Sequence, residues 1–528
     1  MDTKKNWFKN ASFYQIYPLS FKDSNGDGYG DLQGIIEKLP YVKSLGVDAI
    51  WICPFYKSPL RDFGYDITDH CEVDPLFGYM FDFEKLVSEA HTLGLKVVID
   101  IVLNHTSIDH IWFQESRSSK DNPKRDWYIW RMGKGENGDQ PPNNWVSVFG
   151  GSAWTRDQLT GEWYLHTFFE NQPDLNWRNE EVRKEMYRLI DFWLTKGVDG
   201  FRGDALHHLF EDEEFLDEEI NSYFKPGFDN PYNAIFHSRT EGLPETIKTI
   251  LDISEHIKKF GDIVFVTEAY LDIEGLLHVY KNCPTENHMP FNFNLMSLPW
   301  VAADYKNFID RYVAESGDLP KNYVLGNHDR HRTLSRLGRD KALASALISL
   351  TLPGSSFIYY GEEIGMQDLD VKESEMEDDW GKQIPGMNLG RDPERGVMQW
   401  DDGEFAGFGS EKPWIGIPQN QKEVSVLMQE KDPNSILNFY KKILELRKDE
   451  IFQNGEYVPM PIEKNAIFQF KRKLGEREVL IVVNMSENEQ PLSLAVNAKG
   501  FISSVLQNHP PSPSAPLLPN EARVIFLD

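Results

Sequence analysis

Short apolar runs and amphipathic stretches alternate along most of the chain. Phe13-Tyr14-Gln15-Ile16-Tyr17 is the first run, residues 32–45 carry helical spacing, and residues 47–52 form the next run. Residues 83–93 are helical again and lead into 96–102. A helix is expected over 180–196, then apolar runs at 198–201, 263–266, 323–325 and 357–360, with a weak one near Phe291-Asn292-Phe293. Strand and helix in alternation predict right-handed βαβ units around a parallel sheet. At least seven strands are marked, which suits an α/β chain folded as a (β/α)8 TIM barrel.

The rhythm breaks twice. Residues 104–169 are rich in Trp, Gly, Asn and Pro, with turn pairs such as Asn137-Gly138, and predict a subdomain inserted after strand 3. Residues from about 366 to 430 turn acidic and Gly/Pro-rich, predicting a long loop excursion. A helix is expected over 435–447, and short alternating strands beyond it predict a C-terminal antiparallel β-domain at 456–528. The barrel is assigned to 1–103 and 170–455. At 528 residues the chain has room for all three parts.

Composition narrows the partners. With 83 Asp plus Glu against 55 Lys plus Arg, the chain repels nucleic acid and anionic lipid, while a neutral sugar is indifferent to that field. No run approaches the roughly 18–20 apolar residues of a membrane span, and the N-terminal residues lack a signal-peptide core. Cys53, Cys71 and Cys283 are odd in number and lack metal spacing. A reducing cytoplasm, with a monomer or homodimer, is the expectation.

Catalytic groups of a parallel barrel sit at the C-terminal ends of its strands. The third run ends at Asn104-His105, the fourth at Arg202-Gly203-Asp204, the fifth at Thr267-Glu268 and the seventh at Asn327-His328-Asp329. One carboxylate in such a place is commonly a helix cap; three, two of them with an adjacent Arg or His, point to chemistry. A pair of carboxyls suffices to cleave a glycoside. Asp204, near Arg202, should be held ionised as nucleophile, and Glu268, after apolar residues, should hold its proton as general acid.

These segments, with Gln172-Pro173-Asp174-Leu175-Asn176-Trp177, resemble the short conserved regions of the α-amylase superfamily, glycoside hydrolase family 13, and within it the maltase and oligo-1,6-glucosidase branch. The likeness runs from about residue 13 to 400. It implies a retaining α-glucosidase that removes terminal glucose from a small oligosaccharide or disaccharide. Asp204 is then the nucleophile, Glu268 the acid/base, and Asp329 the stabilising carboxylate. Tyr65, Asp66, His105, Arg202 and His328 match residues that hold the glucose ring. Asp62 and Arg332 match the pair that grips its 4-hydroxyl, and Phe149 and Phe168 match aromatic walls. In this branch Val after the nucleophile goes with α-1,6 enzymes and Ala or Thr with α-1,4, so Ala205 implies maltose-like substrates or sucrose.

Asp23-Ser24-Asn25-Gly26-Asp27-Gly28-Tyr29-Gly30-Asp31 alternates oxygen ligands with glycine, as a hard cation requires. It begins like an EF-hand loop, but Gly34 stands where the bidentate Glu belongs. The resemblance implies structural Ca²⁺ or Mg²⁺ held by Asp23, Asn25, Asp27, the Tyr29 carbonyl and Asp31. Two departures stand out. Gly203 replaces a usual apolar side chain and should loosen the strand beside the nucleophile; His331 stands where relatives often have Pro. His207-His208 reads as surface or supporting residues, 211–214 as a solvated helix face, and Gly150-Gly151 as a turn. A transglucosylase shares the same glucosyl-enzyme and is the main rival. A non-catalytic transporter heavy chain is disfavoured, because all three carboxylates are kept.

Overall fold

The computed structural model describes residues 6–418, 420, 423–494, 497–506 and 512–527. Among these, eight parallel strands form one sheet: β1 (Ser12–Ile16), β2 (Ala49–Ile52), β3 (Lys96–Val102), β4 (Gly200–Asp204), β5 (Val264–Thr267), β6 (His288–Pro290), β7 (Asn322–Val324) and β8 (Ser355–Tyr359). Consecutive strands pair from β1 to β6, β7 pairs with β8, and β8 returns to β1, with Phe13 opposite Phe357. The barrel is closed everywhere except between β6 and β7. There two side chains do the work of a ladder: Asn292 N donates to Asn322 Oδ1 at 2.9 Å, and Asn322 Nδ2 donates to the Pro290 carbonyl at 2.6 Å. Pro290 offers no N–H, and β6 lies just ahead of Phe291-Asn292-Phe293, so the faint sequence signal has a cause.

The helices follow their caps. Leu32–Leu45 starts where the Asp31 carboxylate accepts from Gly34 N at 2.6 Å, and it stops at Gly46, whose φ is 97°. In Glu180–Thr195 the buried positions Val182, Met186, Leu189, Ile190 and Trp193 form one stripe against the barrel wall. Between β3 and that helix lies a small three-stranded sheet (Trp130–Arg131, Trp154–Arg156, Trp163–Leu165), with Trp145 and Trp154 in its core. After the barrel come β9 (Glu456–Pro459), β10 (Ile467–Leu474), β11 (Arg477–Asn484), β12 (Ala498–Ser503) and β13 (Ala522–Leu527), antiparallel in the order β9-β10-β11-β13-β12. Alternation divides their side chains: Phe468, Phe470, Ile481 and Val483 join the main core, while Ile467, Leu480 and Val482 build a second cluster on the other face. Arg472, fully buried, fastens this sheet to the barrel by donating to the carbonyl of Thr351 at 2.8 Å.

Two sequence expectations change here. Residues 211–214 are not helical, and Glu211 is buried against Arg178 at 3.1 Å, because the chain turns inward there to seat an ion pair. Gly203 does not loosen its strand: a Cβ there would lie 2.3 Å from Leu206 Cδ1 and 3.1 Å from Phe265 Cε2. Leu206 and Phe265 already fill the space that a side chain would need.

Candidate active site

Strand register brings the carboxylates together. β3 and β4 set Val102 beside Asp204 and Asp100 beside Arg202, while β4 and β5 set Gly203 beside Thr267. Glu268 N then donates to Gly203 O at 3.0 Å, so Asp204 and Glu268 leave adjacent strand ends side by side. Arg202 and Asp204, two apart, share one face of the pleat. Arg202, 1% exposed, lies beneath both acids: Nη1 donates to Asp204 at 2.7 Å and to Asp100 at 3.2 Å, and Nη2 donates to Glu268.

Burial pushes the Asp204 carboxyl up to about 7, with Arg202 opposing it and Asp100 and Asp329 adding to it. Burial likewise pushes Glu268 up to about 8 against the pull of Arg202. Burial would also raise Asp329, but His328, Arg395 and Arg391 overturn this and hold it well below the usual carboxylate range. Burial lowers His328 to about 3. Arg395 Nη2 donates to Asp329 Oδ1 at 3.0 Å. A proton-ordered chain runs below. Gln15 Nε2 meets His328 Nδ1 at 2.8 Å, His328 Nε2 meets Tyr65 OH at 2.6 Å, and Tyr65 donates to Asp100 at 2.7 Å.

A cavity of about 490 Å³ opens above these groups. Asp62, Tyr65, His105, Phe149, Phe168, Asp204, Glu268 and Asp329 all line it; Arg202 and His328 do not reach it and instead meet the Tyr65 hydroxyl. Asp66 stands behind the wall, 0% exposed, accepting from Ser58 Oγ at 2.8 Å and from Asp62 N at 3.1 Å, so it shapes the loop that carries Asp62. Phe149 stacks on Phe169 at 4.0 Å and meets Trp380, closing one side with aromatic faces.

Arg332 is not brought to Asp62. Its guanidinium turns away to the Tyr360 carbonyl at 2.7 Å, over the rings of Tyr359 and Tyr360. The cation on Asp62 is Arg391, with Nη2 at 2.7 Å, and Gln172 Nε2 reaches the other carboxylate oxygen at 2.9 Å. Arg391 is itself locked by Asp378, at 2.8 Å through both Nε and Nη2. The excursion at 366–430 therefore delivers Arg391, Arg395 and Trp380 to the site. The available sequence signal was the spacing of Arg391 and Arg395, four apart across Pro393, in otherwise acidic text. His207 and His208 also line the cavity, contrary to a surface reading, because the 3-10 turn Leu206–His208 begins two residues after Asp204.

In the loop at 23–31, Asp23 Oδ1 accepts from Asn25 N at 3.0 Å and Gly26 N at 2.6 Å, Asn25 Oδ1 from Asp27 N at 2.9 Å, and Asp27 Oδ1 from Tyr29 N at 2.9 Å. Successive side chains thus fold back over the backbone, with Gly26 and Gly28 at φ 80° and 88°. Asp31 caps the following helix and binds Ser24. The outer side of the loop rests on residues 408–414, through Asp23 N to Phe408 O at 3.0 Å and Trp414 N to Gly28 O at 2.9 Å.

A barrel with two carboxyls on one guanidinium and a third beside them defines a class of sugar-cleaving enzyme. The family model described as alpha amylase, catalytic domain, matches residues 15–455, and the chain belongs to that family of glycoside hydrolases. An oligo-1,6-glucosidase of Parageobacillus thermoglucosidasius is 41% identical, over 91% of this chain and 91% of its own. An alpha-glucosidase of Culex pipiens is 38% identical, over 93% of this chain and 83% of its own. Among solved structures, an alpha-glucosyl transfer enzyme, XgtA, superposes with a TM-score of 0.91 at 35% identity, covering 99% of this chain and all of that one.

Proposed function

We propose that this enzyme, an α-glucosidase, is retaining and exo-acting and prefers terminal α-1,4-linked glucose in maltose-like sugars or sucrose. The observation that carries the reading is Arg202, one guanidinium bonded to both Asp204 and Glu268. Carboxyls on adjacent strands that share a guanidinium suit the roughly 5–5.5 Å separation of a retaining pair better than the wider gap that admits water. Glu268, with the higher pKa, protonates the leaving oxygen while Asp204 attacks the anomeric carbon. Water then loses a proton to Glu268 and releases α-glucose. Asp329, kept ionised by its arginines, faces the positive charge that develops on the ring.

Exo action follows from the far wall. Asp62, Arg391 and Gln172 offer both acceptors and donors to a terminal hydroxyl, and a chain continuing past that hydroxyl would collide with them. Ala205, small and lining the cavity, leaves room for a 1,4-linked aglycone. In the Asp23–Asp31 loop a structural Ca²⁺ or Mg²⁺ fits through Asp23, Asn25, Asp27 and the Tyr29 carbonyl, with Asp31 at its edge. The side-chain oxygens that bind loop N–H groups keep further lone pairs for a cation. Among the described residues no helix is long and apolar enough to cross a membrane. Three free thiols fit a cytoplasmic home.

The test is glucose release from maltose, sucrose, isomaltose, trehalose and starch, with the product anomer followed by NMR. α-Glucose from maltose or sucrose, with little from isomaltose or starch, is expected. Initial β-glucose would overturn retention, and rapid starch breakdown would overturn exo action. Oligosaccharide products outrunning free glucose at high maltose would make the enzyme a transglucosylase.

A further inference from the structure

We infer that His331, Asp368 and Glu394 form a second metal site, for Zn²⁺ or a similar first-row divalent cation, on the outer side of the catalytic wall. Among the described residues, this is the one group of three His, Cys, Asp or Glu side chains with ligand atoms all within 4.8 Å of one another. His331 Nδ1 lies 3.0 Å from Asp368 Oδ2 and 3.7 Å from Glu394 Oε2. Ligand atoms about 2.0–2.2 Å from a tetrahedral zinc stand at about that mutual spacing, and one imidazole with two carboxylates is an N/O set that such ions take.

A second observation points to a ligand. Glu394 is 2% exposed, and its Oε2, the oxygen facing His331, has no hydrogen-bond partner. A buried carboxylate oxygen left unpaired is costly, and a cation would satisfy it. The neighbouring arginines do not fill that role. Arg330 lies over the Tyr270 ring, Arg332 turns to the Tyr360 carbonyl, Arg336 donates to His331 O and Met296 O, and Arg395 holds Asp329. Around the ligands the support is in place. Asp368 Oδ1 accepts from Arg332 N at 2.8 Å, which leaves Oδ2 facing His331. Asn388 Nδ2 is 3.2 Å from His331 Nε2, and turning that amide over would set its oxygen there to accept the N–H that remains once Nδ1 binds metal. Asp368 and His331 are partly exposed, so the cation has an entry path and a side open to water.

The site joins two chain segments that serve the catalytic wall. His331 lies two residues after Asp329, and Glu394 directly precedes Arg395. Occupancy would fix the spacing between the loop after β7 and the excursion.

The experiment uses the full chain, stripped with chelator and refilled with excess Ca²⁺ so that the Asp23–Asp31 loop is not the one read. Titration calorimetry with ZnCl₂ should give one equivalent per chain at micromolar or tighter affinity. Zinc K-edge absorption spectroscopy on the native complex should show a single imidazole nitrogen among oxygen ligands. His331→Ala and Glu394→Gln should each weaken binding at least 100-fold, with circular dichroism and the Ca²⁺-induced rise in Tm as checks of folding. No stoichiometric Zn²⁺ at these concentrations, two or more histidines in the zinc spectrum, or undiminished binding by folded variants would each overturn the site. None of these readouts depends on glucosidase turnover.

Discussion

The Arg391 guanidinium lies 2.7 Å from the Asp62 carboxylate, 329 residues away in sequence. Both partners are buried. Truncating one member of such a pair costs about 2–5 kcal/mol, and each 1.4 kcal/mol is about tenfold. Arg391→Ala should therefore lower kcat/KM for maltose by roughly 10²-fold or more. Arg332→Ala should instead lower Tm, because it strands the Tyr360 carbonyl, while changing KM for maltose by less than about threefold. Steady-state kinetics beside thermal melts would separate the two arginines, and equal kinetic losses would contradict the pairing.

Proton occupancy sets the pH profile. In the proposed double displacement the active form has Asp204 ionised and Glu268 protonated, so kcat/KM should fall below about 7 and above about 8 as the pair titrates. With α-glucosyl fluoride, whose leaving group needs no proton, the basic limb should shrink. Stability carries the same sign. Both carboxyls are raised above their unfolded values of 3.8 and 4.5, so their contribution is complete below about pH 4 and is lost as pH climbs through 7 to 8. An inactive Glu268→Gln variant should melt above the native enzyme at pH 8.5 and close to it at pH 5.

Ala205 sits at φ 51°, a left-handed conformation immediately after Asp204, the proposed nucleophile. A β-branched residue is strained there, by about 1–3 kcal/mol. Ala205→Val should lower Tm and move the ratio of isomaltose to maltose turnover upward by about tenfold. An unchanged ratio would remove this position from linkage choice.

Chelating the cation proposed for the loop at 23–31 should lower Tm by several degrees, with Ca²⁺ or Mg²⁺ restoring it in a concentration-dependent way. Asp27 is exposed and bonds within its own loop, so Asp27→Asn should fold and melt near the chelated value. A chelated enzyme with an unshifted melt would overturn the site.

The sequence made most of the barrel legible because strand and helix there follow local rules. The spacing at 32–45 and 96–102 gives elements with those same bounds, and Ser435, Asn179 and Asp31 are caps that can be read directly. β6 was faint because its edge is sealed by asparagine side chains, which carry no periodic signal. Asp204, Glu268 and Asp329 were readable because strand ends in a barrel are exposed to the cavity by topology alone. Arg391 was not, since its placement depends on a long irregular segment folding back across the barrel mouth, and no spacing rule fixes which arginine arrives. His207, His208 and Glu211 were missed for a related reason: after Asp204 the chain has no repeat, and burial there is decided by partners such as Arg178 far along the sequence.

The excursion that delivers Arg391 also lies against the acidic loop through Phe408 and Trp414. One irregular ribbon therefore holds the acidic loop and the Asp62 wall together, with Trp414 and Phe63 at 5.4 Å where the two meet, and among its described residues only short helical turns are regular. Warming should loosen this latch first, so the enzyme ought to lose its hold on glucose while the barrel behind it is still intact.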